Sequence, residues 1–193
     1  MKNKEIQHRV NALLDSGMTK AAVFEQLKQA GAKEKRLAYM IGAHIDPARI
    51  SKNEIHIRII IIINVLLMLL SFFIGFFIDP NFSLGGKFFV GTLCALIPAA
   101  FVYGFGKHNV GAYNAFILLS IMGLHRVFSG FHEDPQATLI ALGINILIIG
   151  YVWFVRNRLF PDFHSFSPRK VKGNYVFTEI EAPKNPAANY PFL

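Results

Sequence analysis

Two adjacent ionisable side chains, His125 and Arg126, interrupt an otherwise apolar run, and Glu133 and Asp134 follow in the next loop. Ionisable groups at membrane depth are costly and mark ion paths, proton relays or ligand sites when they face protein. Forked onto either carboxylate, Arg126 would be held bidentately and His125 would serve as a proton or ligand site. The simpler expectation is stronger. Arg126 stands within about two turns of the end of its run, so its stem lies in lipid and its guanidinium snorkels outward. His132-Glu133 opens like the zinc-binding HExxH, but Gln136 stands where the second histidine belongs and Pro135 opposes that helix register. No zinc is expected there. Cys94 is the sole cysteine, so neither an intrachain disulfide nor a multi-cysteine metal site is available.

Three amides, Asn64, Asn114 and Asn145, lie in separate apolar runs. They line a polar path or, more commonly for such groups, hydrogen-bond and fix helix packing at about 1 kcal/mol or less apiece. The chain lacks a Gly-rich phosphate loop, a nucleophile elbow and a pair of membrane carboxylates. A non-enzyme is therefore expected, with no catalytic residue and no cofactor.

The elements that carry these groups are membrane helices. Ile59 to Ile78 is uncharged for twenty residues and ends at Asp79-Pro80. A helix of that length spans roughly 30 Å, the thickness of a bilayer's hydrocarbon core, and only a helix pairs its own backbone in lipid. Phe88–Gly106, with Pro98 near its middle, Val110–Phe128 and Gln136–Val155 repeat the pattern. In the second, Gly91, Ala95, Ala99 and Ala100 make a small-residue face for close packing. Asp134-Pro135 suits the N-cap and first position of the fourth helix. Ser51-Lys52-Asn53-Glu54 matches the S-x-x-E capping box, so the first membrane helix is expected to begin near Ser51. The whole is 53% hydrophobic with a mean hydropathy of +0.38, high for a soluble domain. The expected fold is all-α: a four-helix transmembrane bundle over 51–157, after a small three-helix head over 1–50.

The head follows from periodicity. Ile6, Val10, Leu13 and Leu14 make one stripe; Val23, Phe24 and Leu27 make a second; Leu37, Met40 and Ile41 make a third. Thr19 can cap the second helix, Gly31 suits a C′ position and Asp46-Pro47 ends the third. Leu14, the Gly17-Met18 turn, Val23 to Leu27 and Leu37 to Ile41 resemble the three-helix ubiquitin-associated type of domain, which implies protein docking. Lys28, Lys33, Lys35 and Arg36 also raise a DNA-binding helix-turn-helix, but Glu25 and Glu34 dilute the basic face, and a nucleic-acid partner is not expected. A basic head lying near anionic lipid is the plainest alternative.

Residues 158–193 read as a polar tail, with a small hairpin over 171–177 and a disordered last dozen. The net charge is +8, yet eleven of the 20 Lys and Arg precede Ile59 and six follow Val155. That one-sidedness places both termini in the cytoplasm. Arg58, Arg156, Arg158, Arg169, Lys170 and Lys172 are the expected lipid-headgroup contacts. No cleavable signal peptide is read in the polar, helix-patterned first fifty residues. With Pro168 to Gly173 (Pro-Arg-Lys-Val-Lys-Gly), the chain resembles the small four-span inner-membrane proteins of bacteria that carry a short helical cytosolic head. That resemblance implies an inner-membrane location and no particular activity. Two function classes are expected. One is an accessory or interaction protein, immunity proteins included, docking a partner or a second copy. The other is a small oligomeric transporter or channel subunit with a polar path near His125 and Arg126.

Overall fold

The computed structural model describes residues 3–129, 131 and 134–178. These form eight helices and four two-residue strands, which group into two units.

The first unit begins with α1 (Asn3–Asp15), α2 (Lys20–Gln29) and α3 (Glu34–Ala43). The stripes read from the sequence meet in one core: Val10, Val23, Ala38 and Ile41 are fully inaccessible, with Leu14, Leu27 and Leu37 around them. Thr19 Oγ1 accepts from the Ala22 amide at 3.3 Å and caps α2. Gly17 and Gly31 sit at φ 88 and 86, conformations that a Cβ would strain. The same unit holds residues 160–178. There β1 (Phe163–His164) pairs with β2 (Ser167–Pro168), and β3 (Lys170–Val171) with β4 (Asn174–Tyr175), both antiparallel. The second hairpin turns at Lys172-Gly173, whose φ values of 49 and 88 fit a two-residue type I′ turn.

This corrects the division of the chain at 157, which made the tail a separate polar segment. Phe160, Asp162 and Phe163 are buried. Lys20 Nζ lies 2.6 Å from Asp162 Oδ2, and both side chains are at most 5% exposed. Asp162 Oδ1 accepts from the Thr178 amide, and its carbonyl accepts from the Arg169 amide at 2.7 Å. Phe24 packs against Tyr175 and Phe177, both tilted and each with its ring centroid 5.5 Å away. Gly42 permits the approach of α3 to this segment, because a Cβ there would meet the Phe163 ring at 3.1 Å. The expectation of disorder in the last dozen residues lies outside the described residues.

The second unit runs from Pro47 to Leu159: α4 (Pro47–Lys52), α5 (Glu54–Phe77), α6 (Leu84–Gly106), α7 (Val110–Ser129) and α8 (Pro135–Leu159). The last four are long and apolar enough to cross a membrane, and only 17–22% of each apolar window is buried. Large side chains such as Phe77, Leu147 and Ile97 stand exposed, as lipid-facing residues must. This is an integral membrane protein. The capping box does not form. Pro47 starts a helix earlier, Ser51 falls inside it, and α5 begins at Glu54, whose carboxylate pairs with Arg58 one turn on. Ser83 caps α6, accepting from the Gly86 amide at 3.3 Å. Asp134 caps α8 as expected, accepting from the Ala137 amide at 3.0 Å.

Helices α5 and α6 pack at glycine distance. A Cβ on Gly91 would stand 2.8 Å from the Phe72 carbonyl oxygen, and one on Gly75 would stand 2.8 Å from Cys94 Sγ. Small residues at a membrane helix interface bring backbones together where no hydrophobic effect drives association. Phe101, Phe105, Tyr113 and Phe116 fill the contact between α6 and α7.

Removing one member of the Lys20–Asp162 pair strands a buried charge. Lys20→Ala or Asp162→Ala is therefore expected to cost the first unit roughly 3–5 kcal/mol. Lys20→Met combined with Asp162→Leu should recover most of that loss, measured by denaturant unfolding followed at the tail's tyrosine and phenylalanine signals.

Candidate functional site

The first unit contains a groove of about 670 Å³ between α3 and the β1–β2 hairpin. From the helix side come Lys33, Lys35, Arg36, Tyr39 and Met40; from the hairpin come Phe166, Ser167 and Pro168. Tyr39 packs edge-on against Phe163 with centroids 5.3 Å apart, so the aromatic wall is braced from behind by the segment that Asp162 anchors. Met40 and Pro168 are buried beneath, whereas Tyr39 and Phe166 are 37% and 36% exposed. The three cations are not neutralised from within. Glu34, which lies between them in sequence, points its carboxylate to Lys28 at 3.1 Å. That contact raises the Lys28 pKa through the hydrogen bond to Glu34. Among the described residues Lys33, Lys35 and Arg36 form no ion pair, and no carboxylate lines the groove.

His44 stands at the C-terminal end of α3, half-buried, with Nε2 3.9 Å from Asp15 Oδ1. Its carbonyl accepts from Lys20 Nζ at 3.4 Å. Burial pushes the imidazole below its ordinary value, Asp15 and Asp46 oppose that shift, and Lys20 reinforces it.

The membrane candidates separate into distinct fates. Asn64 is 1% exposed and its Nδ2 donates to the Ile60 carbonyl at 2.9 Å, one turn back on its own helix. Asn145 does the same, to Ala141 at 2.8 Å. Asn64 Oδ1 is buried with no hydrogen-bond partner among the described residues, beside a cavity of about 200 Å³ lined also by Pro98 and Ser120. Asn145 lines a second cavity, of about 310 Å³, which shares Ser120 and Phe116 with the first. Asn114, by contrast, bonds another helix: its Oδ1 accepts from Arg156 Nε at 3.1 Å.

That contact corrects the assignment of Arg156 to headgroups. Arg156 is fully buried, with Nη1 also donating to Asn157 Oδ1 at 2.8 Å. A guanidinium carries five donors in a rigid fork, and polar partners satisfy it inside protein better than an ammonium. Arg58, Arg158, Arg169, Lys170 and Lys172 are exposed; Arg158 lies 4.5 Å over the Phe154 ring and Lys170 4.5 Å over Tyr175. His125 and Arg126 are exposed on α7 and brought to no partner side chain among the described residues. Asp134 is engaged as the α8 cap, and Glu133 lies outside the described residues.

Sequence reasoning missed Lys20 and Asp162, and with them the groove. A signal existed: Lys20 falls at i with Val23, Phe24 and Leu27 at i+3, i+4 and i+7, a lysine within an apolar stripe. No family model matches this chain, nor does any curated protein or any solved structure.

Two outcomes follow. An exposed Arg126 tolerates lysine, so Arg126→Lys should leave detergent thermal stability within about 0.5 kcal/mol of the parent, whereas a buried bidentate pair would lose several times that. For His44, the folded state binds a proton less readily than the unfolded chain. Its contribution is therefore fully present above a pH of about 6.5 and is lost as pH falls from there through the lower pKa of the folded state. Thermal melts of the full chain should show a drop on acidification that His44→Gln reduces.

Proposed function

We propose that this chain is an integral membrane accessory protein, of the kind that includes immunity proteins, which docks a partner protein through its head and tail. The observation that carries the reading is the groove of Lys33, Lys35, Arg36, Tyr39 and Phe166, in which cations without counter-charges surround partly exposed aromatics. Exposed aromatic and arginine side chains around an apolar pocket are the composition of interaction hot spots.

The membrane part supports the same reading. A transport path needs polar groups that face one another, whereas Asn64 and Asn145 are turned back to their own helices and His125 and Arg126 lie exposed. The competing reading, an oligomeric transporter or channel subunit, draws on Asn64 Oδ1, an unpartnered acceptor at a cavity. We place both termini in the cytoplasm from the one-sided excess of Lys and Arg, which for a bacterial chain means the inner membrane. Arg58, Arg158, Arg169, Lys170 and Lys172 then contact anionic headgroups.

A photo-crosslinking residue at position 35 should capture one discrete protein in cells, and the same residue at the lipid-facing position 147 should not. Equal capture at both positions, or solute flux in vesicles containing the purified chain, would move the transporter reading to first place.

A further inference from the structure

The geometry points to the groove between α3 and the β1–β2 hairpin as a binding site for an acidic peptide segment that carries a large apolar side chain. This rests on the docking reading above and names what docks. The rim supplies positive charge at Lys33, Lys35 and Arg36 without a carboxylate in the lining, so a partner gains attraction there and loses none to an internal competitor. Beneath the rim the surfaces are apolar and aromatic: Met40, Tyr39 and Phe166. A purely ionic partner would leave that surface wet, and a purely apolar one would leave three cations uncompensated. The complementary ligand has both features within a few residues.

Concavity decides between a peptide and a membrane surface. Headgroups form a plane that meets protruding cations, and the β3–β4 hairpin offers exposed ones at Lys170 and Lys172. A depression of about 670 Å³, open to solvent along its length, instead has room for an apolar side chain laid between cations. The hairpin wall is not free to fold away. Its first strand follows Asp162 directly, and the Lys20–Asp162 contact fixes that residue to α2. A preformed site loses little ordering entropy on binding.

The test uses the full chain in neutral detergent and a short fluorescein-labelled peptide, Asp-Glu-Phe-Glu-Asp, followed by anisotropy. Saturable binding is expected, weakening about tenfold or more with the double reversal Lys35→Glu with Arg36→Glu, a loss of about 1.4 kcal/mol or more. Phe166→Ser should weaken it severalfold, and so should replacing the peptide's phenylalanine by glycine. Lys172→Glu makes the same kind of charge change outside the groove and should leave affinity within about twofold. Circular-dichroism melts confirm that each variant is folded. Equal loss with Lys172→Glu, equal binding of the glycine peptide, or full competition by citrate or by vesicles rich in anionic phospholipid would each overturn the proposal. Capture of a protein at position 35 despite such a failure leaves docking standing with a different ligand class; no capture at position 35 removes both.

Discussion

A buried lysine ammonium 2.6 Å from a buried aspartate holds the first unit in its present form. Neither charge is tolerable there alone, because desolvating an unpaired ion costs several kcal/mol. Lys20 therefore requires a carboxylate, and the one it has is 142 positions away in sequence. Asp162 in turn receives the Thr178 amide on its other oxygen and the Arg169 amide on its carbonyl. One residue thus ties together the start of the first hairpin, the link between the hairpins and the chain just after the second. Net stabilisation from such a pair is small or negative relative to apolar replacements, so its role is better described as specificity of position. The tail has one seat on the three helices, and the groove wall at Phe166 follows from that seat.

The membrane unit solves the opposite problem. Lipid supplies no hydrogen bonds, so each polar atom needs a partner in protein, and the nearest partner is the helix's own backbone one turn back. The Nδ2 groups of Asn64 and Asn145 take that local solution. Arg156 has too many donors for it and draws on Asn114 of another helix. The glycines at 75 and 91 add contact where the hydrophobic effect contributes nothing, through backbones that approach to within a methyl group.

The legibility of the chain follows the same division. The four spans were readable because lipid demands length and apolarity over contiguous residues, and the head helices because their stripes recur at helical spacing. The Asp134 cap was readable since its partners lie within three residues. The Ser51 box failed because a competing local signal, Pro47 at a first helical position, begins a helix sooner. Asp162 was opaque in a stretch punctuated by prolines, and so was the burial of Phe160 and Phe163. Nothing local distinguishes a buried Phe-Pro-Asp-Phe from an exposed one. Arg156 misled for a related reason: a cation at the end of an apolar run snorkels unless another helix offers an acceptor, and Asn114 is forty-two positions away.

Long-range polar partners and short-range ones have different consequences for recognition. A side chain bonded to its own helix leaves no charge or shape for another molecule to read. The first unit instead pairs Glu34 with Lys28, Glu5 with Arg9 and Asp162 with Lys20, while three neighbouring cations around an aromatic wall form no ion pair among the described residues. Folding alone gives no reason to keep like charges together, since Lys33, Lys35 and Arg36 repel one another and no acid among the described residues pairs with them. Their repulsion is weak in water, at about 1 kcal/mol or less per pair, so the fold bears it easily. An incoming carboxylate would convert that repulsion into attraction, and would do so most strongly where Tyr39 and Phe166 exclude water from the contact.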